Sequence, residues 1–263
     1  MTRAHYDQYD YPSYWMDRDY EHQSEVAAIR SLLGRIPKLN KVLDIGSGYG
    51  RLTPYYAFRA KKLVLLDPSK KLLAEAKKRL ETQKEQFGLK KKRVDYIVGR
   101  VEDIEKKLNN KDFDLALMVR VMHHISDPEK SIKAVSDVLS PGGYFVLEFA
   151  NKIHAKALIS NLMHGNFTFP IDIFPISRLS KKNTKNECIP FINYHPDVIK
   201  DMLKKNGFKI LQVRSVSNVR SPFLKKHLPP EFLIWIEKYL QKPLAHIYFG
   251  PSIFILARKK VEY

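Results

Sequence analysis

Cysteine is nearly absent from this sequence: Cys188 stands alone among 263 residues. One thiol cannot close an intramolecular disulfide, and it falls short of the ligand set of a structural zinc site. A disulfide-stapled secreted scaffold is therefore excluded, and a reducing compartment is favoured. No early stretch couples a basic region to an apolar run and a small-residue cleavage site, because residues 5–22 interleave tyrosines with charges. A spanning helix needs about 20 consecutive apolar residues. The most apolar late segment, EFLIWIEKYLQKPLAHIYFGPSIFILA, is broken by Glu237, Lys238, Lys242, Pro243 and Gly250. The expectation is a cytoplasmic protein without a transmembrane segment. Internal repeats are also lacking, as are low-complexity tracts beyond the lysine clusters.

Negative charge is scarce. Against 46 Lys and Arg stand 28 Asp and Glu, a formal net charge of +18, which invites a nucleic-acid or anionic-surface partner. Much of the excess, however, sits in stretches such as SKKLLAEAKKRLETQKEQFGLKKKR, where lysines alternate with acids or surround leucines at helical spacing. That is the pattern of a solvated helix face. The reading therefore does not favour a nucleic acid.

With 44% hydrophobic residues the chain suffices for one substantial core. A single domain over 1–263 is expected, and apolar runs alternate with helical patterns along it. The spacing predicts a helix over 19–34, a strand over 41–45, a helix near 51–59, a strand over 62–66 and a helix from about 70 to 86. Strands at 94–98, 113–119 and 143–148 follow, with a helix at about 128–139 between the last two. A helix opened by Pro196 and stopped by Gly207, a strand at 209–214 and a final strand in PSIFILARKK complete the pattern. Short apolar strands separated by helices imply an α/β fold, doubly wound around a largely parallel sheet. Residues 1–40 form an aromatic segment and helix, and 41–150 the binding core. Insertions at 151–193 and 217–250 would leave from carboxyl ends of strands, the edge where open α/β sheets bind ligands, and roof the site.

The chemistry concentrates in VLDIGSGYGRL, residues Val42 to Leu52, which runs an apolar strand into glycines at every second position. Bare backbone there lets a loop approach a ligand closely, and a helix start behind it would offer free amides. A dinucleotide fingerprint, G-x-G-x-x-G, would require glycine where Arg51 or Thr53 stands. The spacing is instead G-x-G-x-G, with Asp44 two positions ahead. The second strand ends LVLLDPS, setting Asp67 at its tip, where a carboxylate accepts hydrogen bonds from both hydroxyls of a ribose.

At these residues the sequence resembles the class I S-adenosylmethionine-dependent methyltransferases of the small-molecule type. VLDIGSGYGRL looks like the glycine motif and LVLLDPS like the ribose-binding strand end. FDLALMVRVMHHISDPEKSI and VLSPGGYFVLEF are similar to the fourth and fifth strands of that family. The resemblance covers roughly 40–150. It implies a Rossmann-like seven-stranded sheet of order 3-2-1-4-5-7-6 with its last strand antiparallel, lid insertions after strands 5 and 6, and S-adenosylmethionine as cofactor. It implies that Asp44, Gly46, Ser47 and Gly48 hold the methionine portion, that Gly50 lets the next element pack, and that Asp67 and Pro68 meet the ribose. Val101 and Glu102 would meet the adenine, with Asp103 an alternative to Glu102, itself equally readable as a surface acid. Val119 and Arg120 would line the cofactor.

The acceptor is read as a small, apolar organic molecule, with RNA or a lipid or quinone at a membrane surface as alternatives. RVMH in place of the Asn/Asp-Pro-Pro-aromatic type argues against a base-nitrogen acceptor. Methyl transfer from a sulfonium asks mainly for alignment, so no catalytic triad is required and no metal is expected. Candidates for a general base are His123, Tyr14 and His195, His123 being equally readable as a packed core ring. Tyr6, Tyr9, Tyr11, Tyr14, Trp15 and Tyr20 precede the body of the first helix, and would either fold over the cofactor as a lid, as the resemblance implies, or anchor the segment against the sheet edge.

Overall fold

The computed structural model describes residues 11–34, 36, 39–108, 112–179 and 190–261, so Tyr6, Tyr9 and Cys188 lie outside the described residues. In chain order these residues form α1 (Tyr11–Tyr14), α2 (Asp19–Leu33), β1 (Leu39–Ile45), β2 (Ala60–Asp67), α3 (Lys70–Thr82) and β3 (Arg93–Val98). Then come α4 (Ile104–Lys107), β4 (Phe113–Met118), α5 (Pro128–Val138), β5 (Leu139–Ala150) and α6 (Ala155–Met163). The remainder is β6 (Ile176–Leu179), β7 (Pro190–Asn193), α7 (Pro196–Lys205), β8 (Phe208–Val216), α8 (Pro222–His227), α9 (Pro230–Leu240) and β9 (Ser252–Lys259).

Seven strands make one sheet in the order β3-β2-β1-β4-β5-β9-β8, while β6 and β7 pair separately. With that small pair set aside, the order is the 3-2-1-4-5-7-6 expected from the sequence. Strands β3 to β5 run parallel, and β9 is antiparallel to both β5 and β8. Strand β8 therefore points the same way as β5. Both insertions leave from the carboxyl edge of the sheet.

Alternation along each strand builds two cores. Leu43, Ile45, Val64 and Leu66 face α5 and α7, meeting Ile132, Val135, Ile199 and Leu203. Val42, Leu63, Leu65 and Leu117 face α2 and α3, meeting Ile29, Leu32, Leu73 and Leu80. Helices on both faces explain why β2 reads as an unbroken apolar run.

One expected element is absent. The helix anticipated near 51–59 is instead two 3-10 turns, Thr53–Tyr55 and Ala57–Arg59. Tyr56 breaks the path between them with φ −133°, which buries its ring and brings its hydroxyl to Asp44. The helix at 70 ends at Thr82, and β5 is longer at both ends than the apolar run suggested.

The insertions are pinned by buried polar side chains. Asn151 Nδ2 donates to the carbonyls of Tyr248 (2.6 Å) and Gly250 (2.8 Å). Lys152, fully buried, donates to the Phe174 carbonyl at 2.8 Å and pairs with Asp172 at 2.8 Å. Glu237 of α9 is buried and accepts from the backbone N–H groups of Ser217 (2.8 Å) and Asn218 (3.0 Å) and from Tyr20 Oη (2.6 Å). These ties draw both insertions over the β5-β9-β8 half of the sheet. The side-chain amides of Asn218 and Gln241 donate to Glu237 as well but have second acceptors, so truncating Glu237 would strand chiefly the two backbone N–H groups and the Tyr20 hydroxyl, each costing about 1–3 kcal/mol if it stays dry. Chemical denaturation of Glu237→Ala is expected to show a loss of about 3 kcal/mol; an unchanged midpoint would remove Glu237 as the anchor of α9.

Candidate active site

Where β1 ends, the chain turns through Gly46 with φ +69°, a conformation that side chains rarely adopt. Space forbids a side chain as well, since a Cβ on Gly46 would lie 2.1 Å from Cγ2 of Val121. At Gly48 (φ +55°) a Cβ would meet only the Tyr11 ring, at 3.7 Å. Gly50 packs its bare face toward Ala76 and Leu80 of α3. The loop is thus threaded between the exit of β4 and α3, with one face left open.

Asp67 closes that face. Its Oδ2 accepts the Gly48 N–H at 2.8 Å, and its Oδ1 accepts the Ser69 N–H at 2.8 Å. Ser69 in turn caps α3 through the Leu72 N–H, 3.1 Å from its Oγ. The carboxylate is thereby fixed in direction at the edge of the loop.

Gly46, Gly48 and Asp67 border a cavity of about 860 Å³, counted together with the open solvent at its mouth. Of the residues singled out from the sequence, Gly46, Gly48, Asp67, Pro68, Val101, Glu102 and Arg120 line it. Asp44 and Ser47 do not line it, and the Ser47 Oγ is buried without a hydrogen-bond partner among the described residues. Val119 belongs to the apolar core, and Asp103 turns its carboxylate back to accept the Arg100 N–H at 3.0 Å. None of the described residues of the two insertions lines this cavity; Tyr11 of the N-terminal segment does.

Asp44 is buried and accepts from the Tyr56 hydroxyl. Burial raises its pKa to about 7; the Tyr56 bond opposes the rise, and the nearby Asp67 charge adds to it.

Arg120 follows β4 with φ +63°, its N–H donating to Glu148 Oε2 at 2.7 Å. Its guanidinium meets Glu25 Oε1 (Nη2 at 2.5 Å, Nε at 2.6 Å), and Arg51 meets Oε2 of the same carboxylate at 2.5 Å. Burial pushes the Glu25 carboxyl up, but Arg120 and Arg51 outweigh it and hold it below the ordinary range. The Trp15 ring covers both cations, 3.5 Å from Arg51 and 5.3 Å from Arg120. Tyr11 packs edge-on to Trp15 at 6.4 Å and stacks on Tyr14 at 6.0 Å. Burial pushes the Tyr11 phenol up to about 12, so it stays protonated at neutral pH.

The three base candidates do not line the cavity. His123 is buried, 4.8 Å from Phe191, and burial holds its imidazole well below the usual range and therefore neutral. His195 caps α7, its Nδ1 accepting the Asp197 N–H at 3.2 Å, with Nε2 3.1 Å from the Pro170 carbonyl. Tyr14 stacks behind Tyr11, under Arg18 at 4.1 Å. The neighbouring His124 does line the cavity, as do Leu72, Gly99, Arg100, Val121 and Ile125. Which of two adjacent histidines turns inward is not legible from their spacing.

Comparison with known proteins agrees with this geometry. A family model described as a methyltransferase domain matches residues 43–147. A tRNA 5-carboxymethoxyuridine methyltransferase of Escherichia coli K12 is 26% identical over 226 residues, 85% of this chain and 81% of that one. A ubiquinone biosynthesis O-methyltransferase of Chromobacterium violaceum is 29% identical over 150 residues, 55% of this chain and 61% of that one. Among solved structures, a protein of Listeria monocytogenes described as an S-adenosylmethionine dependent methyltransferase superposes with TM-score 0.65 at 20% identity, covering 92% of this chain and 100% of that one. The magnesium protoporphyrin IX methyltransferase of Synechocystis PCC 6803, solved with bound S-adenosylhomocysteine, does so with TM-score 0.55 at 17% identity, covering 91% and 84%.

The raised pKa of Asp44 has a measurable sign. A carboxyl whose folded pKa of about 7 exceeds its ordinary 3.8 stabilises the fold below about pH 4, and that contribution is lost as pH rises through 7. Asp44→Asn cannot ionise. Its melting temperature is expected to rise relative to the native chain by roughly 5 °C between pH 5 and pH 8. A pH-independent difference would show that Asp44 does not titrate there.

Proposed function

We propose that this chain is a class I S-adenosylmethionine-dependent methyltransferase, a reading supported by the methyltransferase-domain match over residues 43–147 and by the shared fold, and that its acceptor is a small, apolar organic molecule methylated at the carboxyl edge of the sheet. The observation that carries the cofactor assignment is the Asp67 carboxylate, fixed by Gly48 and Ser69 and facing the cavity. In this reading Asp67 takes the ribose hydroxyls, with Pro68 packed beside them. Gly46 and Gly48 receive the methionine portion, with Ser47 and Asp44 supporting the loop from outside the cavity lining. Val101 and Glu102 border the adenine, with Arg100 and Gly99 extending that wall. Gly50 and Val119 support the site from behind, and Arg120 closes its far side.

Bound S-adenosylmethionine supplies an electrophilic methyl on a sulfonium. The chain's own contribution is then alignment and exclusion of water, worth roughly 7–11 kcal/mol in well-oriented systems. Tyr11, Val121 and Ile125 provide the apolar and aromatic wall for this, and Tyr11 offers its ring to a cation. If the acceptor must lose a proton, His124 is the imidazole in reach of the cavity, ahead of His123, Tyr14 and His195. The reading sets the enzyme in the cytoplasm, where its thiol stays reduced, with the whole chain working as one domain.

An RNA acceptor is the second reading. The net charge of +18 favours it, as does the extent of the match to the Escherichia coli tRNA enzyme, which at 85% of this chain exceeds the 55% of the quinone relative. Retention of bulk tRNA that weakens steeply with salt, together with methyl transfer to it, would select this reading. Metabolite profiling of a deletion strain fed methyl-labelled methionine separates the two acceptor classes directly.

Replacing Asp67 by alanine is expected to weaken S-adenosylmethionine binding about 10- to 100-fold, the equivalent of about 1.5–3 kcal/mol for a charge-assisted bond. Isothermal calorimetry reads this, and an unchanged dissociation constant would reject the assignment.

A further inference from the structure

Fourteen of the nineteen large apolar side chains that stand exposed among the described residues belong to the two insertions. In the first, Met163 is 81% exposed, Ile171 76% and Phe174 74%, with Ile159 and Ile173 more than half exposed. In the second, α9 turns Phe232, Trp235 and Tyr239 outward. Their rings follow one another along the helix at 5.9 Å and 5.0 Å. The insertions touch where Ala155, at the start of α6, donates to the Phe249 carbonyl at 2.9 Å. Exposed apolar surface gathered on one part of a molecule, rather than scattered, marks a docking surface.

Charge says what docks there. Among the described residues of the insertions, Lys156, Arg220, Lys226, Lys238 and Lys242 are exposed. Opposite them the exposed carboxylate is Glu231, while Asp172 is neutralised by Lys152 and Glu237 is buried. Aromatic and aliphatic side chains flanked by lysines are the composition of an element lying in a bilayer interface. No helix of the described residues is long and apolar enough to cross a membrane, so such contact is peripheral. A single-stranded nucleic acid would use exposed rings for stacking, and α9, Phe167 and Phe174 carry such rings, but the aliphatic Ile159, Met163, Ile171 and Ile173 exposed among them offer a base none. Nucleic-acid interfaces are also more polar than this face.

We infer that the insertion face docks on an anionic lipid bilayer, setting the carboxyl edge of the sheet against the membrane so that the acceptor enters from the lipid phase. This rests on the reading of the acceptor as a small apolar molecule, and it names the source from which that molecule is drawn. Both insertions leave the sheet at the edge that carries the cavity, so a membrane bound there lies beside the mouth of the site.

Vesicle flotation of the full chain tests the inference. The native protein is expected to float with vesicles containing about one-third phosphatidylglycerol, to float at least tenfold less with phosphatidylcholine alone, and to be released by high salt. Trp235→Ser combined with Met163→Ser, and separately Lys238→Glu with Lys242→Glu, are each expected to reduce flotation about tenfold or more. Calorimetric binding of S-adenosylmethionine by the same variants is expected to stay unchanged, since none of these residues lines the cavity. The inference is overturned by absence of flotation or by variants that float like the native chain. It is equally overturned if those substitutions abolish a dimer or tRNA retention while leaving flotation intact. A native chain that floats but binds no S-adenosylmethionine would instead contradict the cofactor reading alone.

Discussion

One carboxylate at a strand tip organises this molecule. Asp67 holds the glycine loop through Gly48 and the start of α3 through Ser69, each at 2.8 Å. The loop can lie there because Gly46 has no side chain to strike Val121. Strand β2, the loop and α3 are thereby locked to one another around an open face. The same bonds that fix the backbone fix the direction in which the carboxylate meets a ligand. Binding geometry is paid for during folding, so little ordering remains for the moment of association.

On the opposite wall a buried ion cluster performs the equivalent task. Glu25 alone, fully enclosed, would be costly, and a single arginine would leave one oxygen unsatisfied. Two arginines, one on each oxygen, satisfy it: Arg51 comes from the glycine loop and Arg120 from the exit of β4. Trp15 lies over both cations. The N-terminal segment is joined in this way to the cavity that its Tyr11 lines. Because Glu25 sits on α2, which carries core residues on its other positions, the cluster couples the cover of the site to the main fold.

The sheet was legible because its signals are local and repeated. Apolar runs such as Leu63 to Leu66 are buried on both faces, and the glycines and Asp67 occupy strand ends that the runs define. What escaped the sequence depends on contacts far apart in the chain. The turn at Tyr56 exists because a ring finds a core and its hydroxyl finds Asp44, 12 residues earlier, and no periodicity announces that. The partnership of Glu25 with Arg51 and Arg120 spans 26 and 95 residues. His123 and His124 differ only in which way a short 3-10 turn faces them. The insertions were read as a roof from their place in the order of elements. Lys152 and Glu237, ordinary residues in sequence, pin them through buried bonds that no spacing announces.

On the proposed reading, a binding core bordered by Tyr11 of the aromatic N-terminal segment, with the exposed apolar and basic surface of the insertions outside it, divides the work between cofactor and acceptor. The division stands only if the nucleoside occupies the loop. A crystal structure of the chain with S-adenosylhomocysteine is the most direct test. The account requires both ribose hydroxyls within about 3.2 Å of the Asp67 carboxylate and the amino-acid tail over Gly46 and Gly48. A ligand bound elsewhere, or a ribose turned away from Asp67, would contradict it.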